Sequence, residues 1–139
     1  MKRMWIVILA LLGVGSCVGG LVGSVLYFTL GLTECADGFF AAVKRQDLVA
    51  ARVYLSEDFR AHASDAALVE FIGSGPLAHC ASTHWSSREI KNDTGRLEGE
   101  VRSDSGGVVP VTLTLVRERG EWRIQTLARA EAGIVERLR

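Results

Sequence analysis

The sequence predicts an α+β domain carried behind a single N-terminal transmembrane helix, on three observations. The run from Met4 to Leu32 contains no Asp, Glu, Lys or Arg and is long enough to cross a bilayer. Residues 34–73 repeat their apolar side chains at three- and four-residue steps, the period of a helix. From His79 onward the period changes to two, with Gly- and Asp-containing turns between the runs.

The aromatic residues place the embedded part of the first segment. Trp5 and Tyr27 would lie about 33 Å apart on a helix rising about 1.5 Å per residue, which puts an amphipathic ring at each interface. The expected order is a cytoplasmic N-terminus at 1–4, a membrane helix at 5–28 and a short linker at 29–33. Lys2 and Arg3 precede the span, whereas Glu34 and Asp37 are the first charges after it. The positive-inside rule therefore sends the remainder outside. A cleaved signal would have a shorter apolar region and a small-x-small site, and no Ala-x-Ala precedes Glu34. Lipid anchorage at Cys17 stays open as an alternative, because Val14-Gly15-Ser16-Cys17 has small residues before a cysteine. Against it, Val18 to Leu32 remains apolar.

Gly15, Gly19 and Gly23 recur every four residues, which would let another helix approach closely. The stripe offers a homodimer contact or a docking face for an envelope protein. Glycine is also simply common in membrane helices, and both readings stand.

Beyond the N-terminal pair, 14 basic residues face 16 acidic ones, with no basic cluster, so nucleic acid is not an expected partner. The exterior portion, roughly one hundred residues, suffices for a single core. Cys35 and Cys80 both fall there. A disulfide between them, contributing about 3–4 kcal/mol, and two buried free thiols are both open. A metal set of His79, Cys80, His84 and Cys35 lacks any recognised ligand spacing, so no metal or cofactor is expected.

Three helices are expected. Ala36, Phe39, Phe40 and Val43 mark the first, closing at Lys44-Arg45; Asp47 caps a second with Leu48, Ala51 and Leu55. Ser56-Glu57-Asp58-Phe59 breaks it, and Ser64 or Asp65 caps a third through Leu68, Val69 and Ile72, ending at Gly73-Ser74-Gly75-Pro76. Four strands follow in an antiparallel meander. The first spans roughly Ala81 to Lys91; the others carry Leu97-Gly99-Val101, Val109-Val111-Leu113-Leu115 and Trp122-Ile124. Residues 130–139 have weak helical character and read as a fraying tail.

Phe39-Phe40-Ala41-Ala42-Val43, Leu55-Ser56-Glu57-Asp58-Phe59 and Trp85-Ser86-Ser87-Arg88-Glu89, in this order, resemble the nuclear-transport-factor-2-like superfamily. Val108 to Leu113 and Glu118 to Ile124 resemble its last hairpin. The similarity covers roughly residues 34–129 and is nearest to small bacterial domains of unknown function. It implies a curved sheet wrapped around helices as a cone, in a bacterial inner-membrane protein with a periplasmic or extracellular domain. That superfamily includes ketosteroid isomerases, dehydratases, cyclases, transport adaptors and membrane-tethered assembly factors, so the fold alone does not select a role.

Enzymes of that kind place an acid or base inside an apolar cone. Asp58, His62, His84, Arg88 and Tyr54 are the candidates, but none sits in a motif that matches such a site, and no catalytic residue is assigned. His84 and Arg88 share parity with Ile90, so one of them could face inward. Tyr54, Phe59, Trp85 and Trp122 are core by default and would line a pocket if the cone were hollow. The expectation is a non-catalytic module for binding or envelope assembly, with a ketosteroid-isomerase-type enzyme as the alternative.

Overall fold

A helix, α1, occupies residues 30–44 and supplies the inner layer of the domain. The structure, a computed structural model, describes residues 30–73, 75–131 and 134–138. The expected span at 5–28, with Trp5, Tyr27, Gly15, Gly19, Gly23 and Cys17, lies outside the described residues. Among those described, no helix is long and apolar enough to cross a membrane.

Ala36, Phe39, Phe40 and Val43 are all buried, as their spacing predicts, and Cys35 and Ala42 join them. The expected linker at 29–33 is corrected from residue 30 onward, because Leu32 is 0% exposed and belongs to the core. Leu32 extends the stripe of Ala36 and Phe39 by one helical turn, and it packs on Gly95, where a Cβ would come within 2.3 Å of its Cδ1. Leu32 ends the uncharged run in the sequence, yet its side chain serves the domain.

Three short helices follow. α2 is Leu48–Val53, and the Asp47 side chain accepts from Ala50 N at 3.0 Å. The break expected at 56–59 is instead the start of α3, Glu57–His62, so the expected three helices become four. Ser56 Oγ accepts from Phe59 N at 3.0 Å, with Glu57 and Asp58 at the positive end of the helix and Arg60 and His62 at the other. α4 is Asp65–Gly73; the Ser64 hydroxyl accepts from Ala67 N at 3.1 Å. A 3₁₀ turn, Gly75–His79, leads into the sheet.

The sheet is antiparallel throughout, with spatial order equal to chain order: β1 Cys80–Lys91, β2 Thr94–Ser103, β3 Val108–Glu118, β4 Glu121–Glu131 and β5 Ile134–Leu138. Inward residues Leu97, Val101, Val109, Val111, Leu113, Leu115, Trp122, Ile124 and Leu127 are buried against α1 and α3. The register of β3 on β4 slips between Thr114 and Leu115, so that Gln125 is an extra residue. That bulge explains why Ile124 and Leu127, three apart rather than two, both face the core, and such insertions bend a sheet. The expected four strands and fraying tail at 130–139 are corrected by β5, which pairs from Leu127↔Leu138 to Glu131↔Ile134. Ile134 and Leu138 are spaced like helix neighbours, but backbone pairing with β4 decides their conformation.

Candidate functional site

Apolar side chains fill the face of the sheet that packs on the helices. Phe59 is buried beneath it, and Trp122 is buried with Arg117 Cζ 4.8 Å above its ring. Tyr54 is half-buried: its ring lies over Gly38 of α1, and its carbonyl accepts from Ile124 N at 2.8 Å. Beside it, Leu55 bridges to Ile124, which stitches the end of α2 to β4. Trp85 is also half-buried, 6.1 Å from Phe40 between ring centres. Its indole N–H donates to Asp37 Oδ1 at 2.8 Å, and Thr83 Oγ1 donates to the same oxygen at 2.8 Å. Asp37 thus fastens α1 to the edge strand.

Polar groups inside are few. Among the described residues, the buried polar or charged side chains are Thr33, Ser56, Ser103 and Arg129. Ser56 is a helix cap, and Ser103 Oγ accepts from Gly107 N at 2.9 Å within the β2–β3 turn. Arg129 Nη1 donates to Phe71 O at 2.9 Å while its guanidinium lies 4.7 Å from the Phe71 ring, holding α4 to β4. No carboxylate or imidazole is among these buried groups.

The acid–base candidates lie elsewhere. Asp58 and His62 are exposed on α3, where His62 Nδ1 lies 2.8 Å from Asp58 O. His84 and Arg88 are both exposed. Their shared parity does not carry through β1, because the register slips between Trp85 and Ser87. His84 pairs with outward Glu100, whereas Arg88 pairs with inward Leu97 yet stays in solvent.

Cys35 and Cys80 are free and buried, so the bridge left open by the sequence is absent. Cys35 donates to Trp122 O at 3.1 Å near the start of α1. Cys80 adjoins Ala81, whose carbonyl accepts from Lys44 Nζ at 3.5 Å at the far end of that helix. Burial pushes the Cys35 thiol up to about 12, with Arg123 lowering it and Glu121 raising it. Burial also raises Cys80, against Lys44 and with Asp104.

Three surface grooves are formed by described residues. An apolar one of about 290 Å³ is walled by Val43, Leu48, Ala51, Val69, Ile72 and Ala78. A charged one of about 310 Å³ lies between α3 and the β3–β4 turn. There the Glu118 carboxylate accepts from Glu57 N at 3.1 Å, and Arg119–Glu57 and Arg123–Glu121 are paired, so its charges hold one another. The third, about 250 Å³, runs beside Lys91, Gly95 and Arg96. Tyr54, Phe59, Trp85 and Trp122, read as pocket-lining if the interior were hollow, line none of these three. The apolar groove escaped the sequence reading because its walls come from α1, α2, α4 and the 3₁₀ turn, and each wall residue alone looks like core.

No protein-family profile and no curated protein matches the sequence. Solved structures do. The chain is similar to an NTF2-like protein of unknown function from Shewanella baltica OS155, with TM-score 0.59, 11% identity and coverage of 81% of this chain and 94% of that one. A second, from Shewanella oneidensis MR-1, gives TM-score 0.56 and 13% identity over 74% and 98% of the two chains. A third, from Methylobacillus flagellatus KT, gives TM-score 0.52 and 13% identity over 68% and 83%. The domain has the nuclear-transport-factor-2-like fold, as the sequence resemblance implied.

Proposed function

Given a domain of this fold, we propose that it is a non-catalytic binding or assembly module on a single-pass membrane anchor. The observation that carries this reading is the interior: among the described residues its buried polar side chains are Thr33, Ser56, Ser103 and Arg129, of which Ser56 caps a helix, Ser103 closes a turn and Arg129 ties α4 to β4, and none is a carboxylate or histidine. An isomerase-type mechanism needs an acid or base of shifted pKa in an apolar enclosure. Of the candidate acids and bases, Asp58, His62, His84 and Arg88 are exposed, and Tyr54 is half-buried with its ring against Gly38. Fold similarity supplies no activity, since the neighbours named above are themselves of unknown function.

The anchor rests on the uncharged run from Met4 to Leu32 and on the charges flanking it. The proposed location is a bacterial inner membrane with the domain on the periplasmic or extracellular side. Alkaline washing of membranes, followed by protease added from either side, tests both parts. The chain should stay in the washed membrane and the domain should be digested from the outer side only. Release by the wash would sink the anchor, and a chain starting at a lipidated Cys17 would replace it. For the non-catalytic reading, the purified full chain incubated with an unconjugated ketosteroid should give no double-bond isomerisation above the buffer rate. Turnover that scales with protein concentration would favour the enzyme.

A further inference from the structure

The third groove, about 250 Å³, is lined by Glu89, Lys91, Thr94, Gly95, Arg96 and Thr114. The strand register shows which face of the sheet it occupies. Leu32 packs on Gly95 from the side of α1, so Thr94 and Arg96, one residue to either side, point away from that helix. Glu89 pairs with Arg96, Arg96 with Thr114, and Lys91 with Thr94, and side chains directly opposite share a face. The groove is therefore a polar patch on the outer face of β1, β2 and β3.

Its charges are only partly matched. The Arg96 guanidinium is held by Glu98, with Nη2 at 2.7 Å from Oε1. Glu89 and Lys91 are exposed, and neither has an ion pair among the described residues. They stand two apart on one strand, about 6.6 Å along it at a rise of about 3.3 Å per residue. The groove thus offers one carboxylate and one ammonium side by side, with the hydroxyls of Thr94 and Thr114 beside them. A lone anion would meet Glu89, and a lone cation would meet Lys91. The complement is a zwitterion that sets a phosphate on Lys91 and an N–H-bearing ammonium on Glu89.

The chain brings such a ligand within reach. Lys44 Nζ donates to Ala81 O at 3.5 Å where β1 begins, whereas Leu32 meets Gly95 where β2 begins. α1 therefore runs antiparallel along β1, and its start lies beside the β1–β2 turn. Residues 1–29 join the domain at this end. Phe28, the last residue of the expected span, precedes Leu32 by four residues, which reach at most about 14 Å. We propose that the groove binds the headgroup of an ethanolamine phospholipid of the anchoring bilayer, its phosphate on Lys91 and its ammonium on Glu89. The proposal rests on the reading of the chain as membrane-anchored, and it adds a second, headgroup-specific contact to that anchor.

The test places the full chain in lipid nanodiscs and follows acylation of Lys91 under excess reagent by mass spectrometry, with Lys44 as the control. The discs hold phosphatidylcholine alone, or phosphatidylcholine enriched in phosphatidylethanolamine or in phosphatidylglycerol. Ethanolamine lipid should slow Lys91 about threefold against choline lipid, the scale of an exposed ion pair, and leave Lys44 unchanged. Glu89→Gln should remove that difference, and an unchanged Lys44 rate shows that β1 has kept its place against α1. A difference that survives Glu89→Gln overturns the pairing with the ammonium. Equal slowing by glycerol lipid, which has a phosphate but no ammonium, overturns the zwitterion. Slowing by inorganic phosphate added to choline discs assigns the groove to a free anion and overturns the lipid. No slowing in discs that retain the chain overturns the headgroup site and leaves the anchor standing. A chain that does not stay with the discs overturns the anchor and the headgroup site together.

Discussion

Beneath the sheet, Phe59, Leu97, Leu113, Leu115 and Ile124 are fully buried, whereas Val49, Val53 and Val69 on the outer helices stay open to solvent. Both sets are apolar, but of the second only Val69 sits on a helix face that the sequence pattern marks, whereas Val49 and Val53 lie off the Leu48–Ala51–Leu55 stripe. The first set is covered by the chain itself; the second is left open by the described residues. Residue class alone therefore does not tell whether a side chain serves the core. What tells it is whether another layer of the described fold lies over that side chain.

That contrast is sharpest in stability. Phe59→Ala should cost about 3–5 kcal/mol in urea denaturation, the range for removing a buried ring. An equal loss for Val69→Ala would erase the distinction, since open positions should stay within about 0.5 kcal/mol. Next comes Gly99→Ala, where the new Cβ would stand 2.2 Å from the His84 carbonyl oxygen and 2.8 Å from the Trp85 ring. The edge strand must then move, at about 1–3 kcal/mol. Asp37→Ala removes the acceptor of both Trp85 and Thr83, a loss of about 1–2 kcal/mol, and a changed Trp85 emission would accompany it.

Titration gives the smallest effect near neutrality. Cys35 is raised from 9.0 to about 12, so the folded state favours the neutral thiol. Its contribution is fully present below pH 9 and is lost as pH rises from 9 towards 12. The stability difference between the native chain and Cys35→Ala should therefore shrink across that window and remain flat below it. A difference independent of pH would place the thiol in water.

Much of the fold was legible because its signals are local. The alternation of Leu97-Gly99-Val101 and of Val109 through Leu115 survives intact, since each run is flanked by a tight turn. The departures arise where tertiary pairing overrides a local pattern. β5 forms from residues with helical spacing because β4 offers it hydrogen bonds. α3 begins where the local pattern signals a break, because Ser56 ends one segment and caps the next. Bulges at β1 and at Gln125 reverse side-chain parity, and no periodic pattern announces them. The candidate groove was not legible at all, since it exists only once four separate segments meet.

Leu32 also dictates where the chain can be cut. Glu34 is the first charged residue after the apolar run and the natural-looking start for a soluble fragment. Starting there deletes a side chain that is wholly enclosed and leaves bare the hollow above Gly95. Such a fragment would lack a piece of its own interior, and its instability would follow from that loss. A fragment beginning before residue 30 keeps the first turn of α1 and, with it, the wedge that closes the domain.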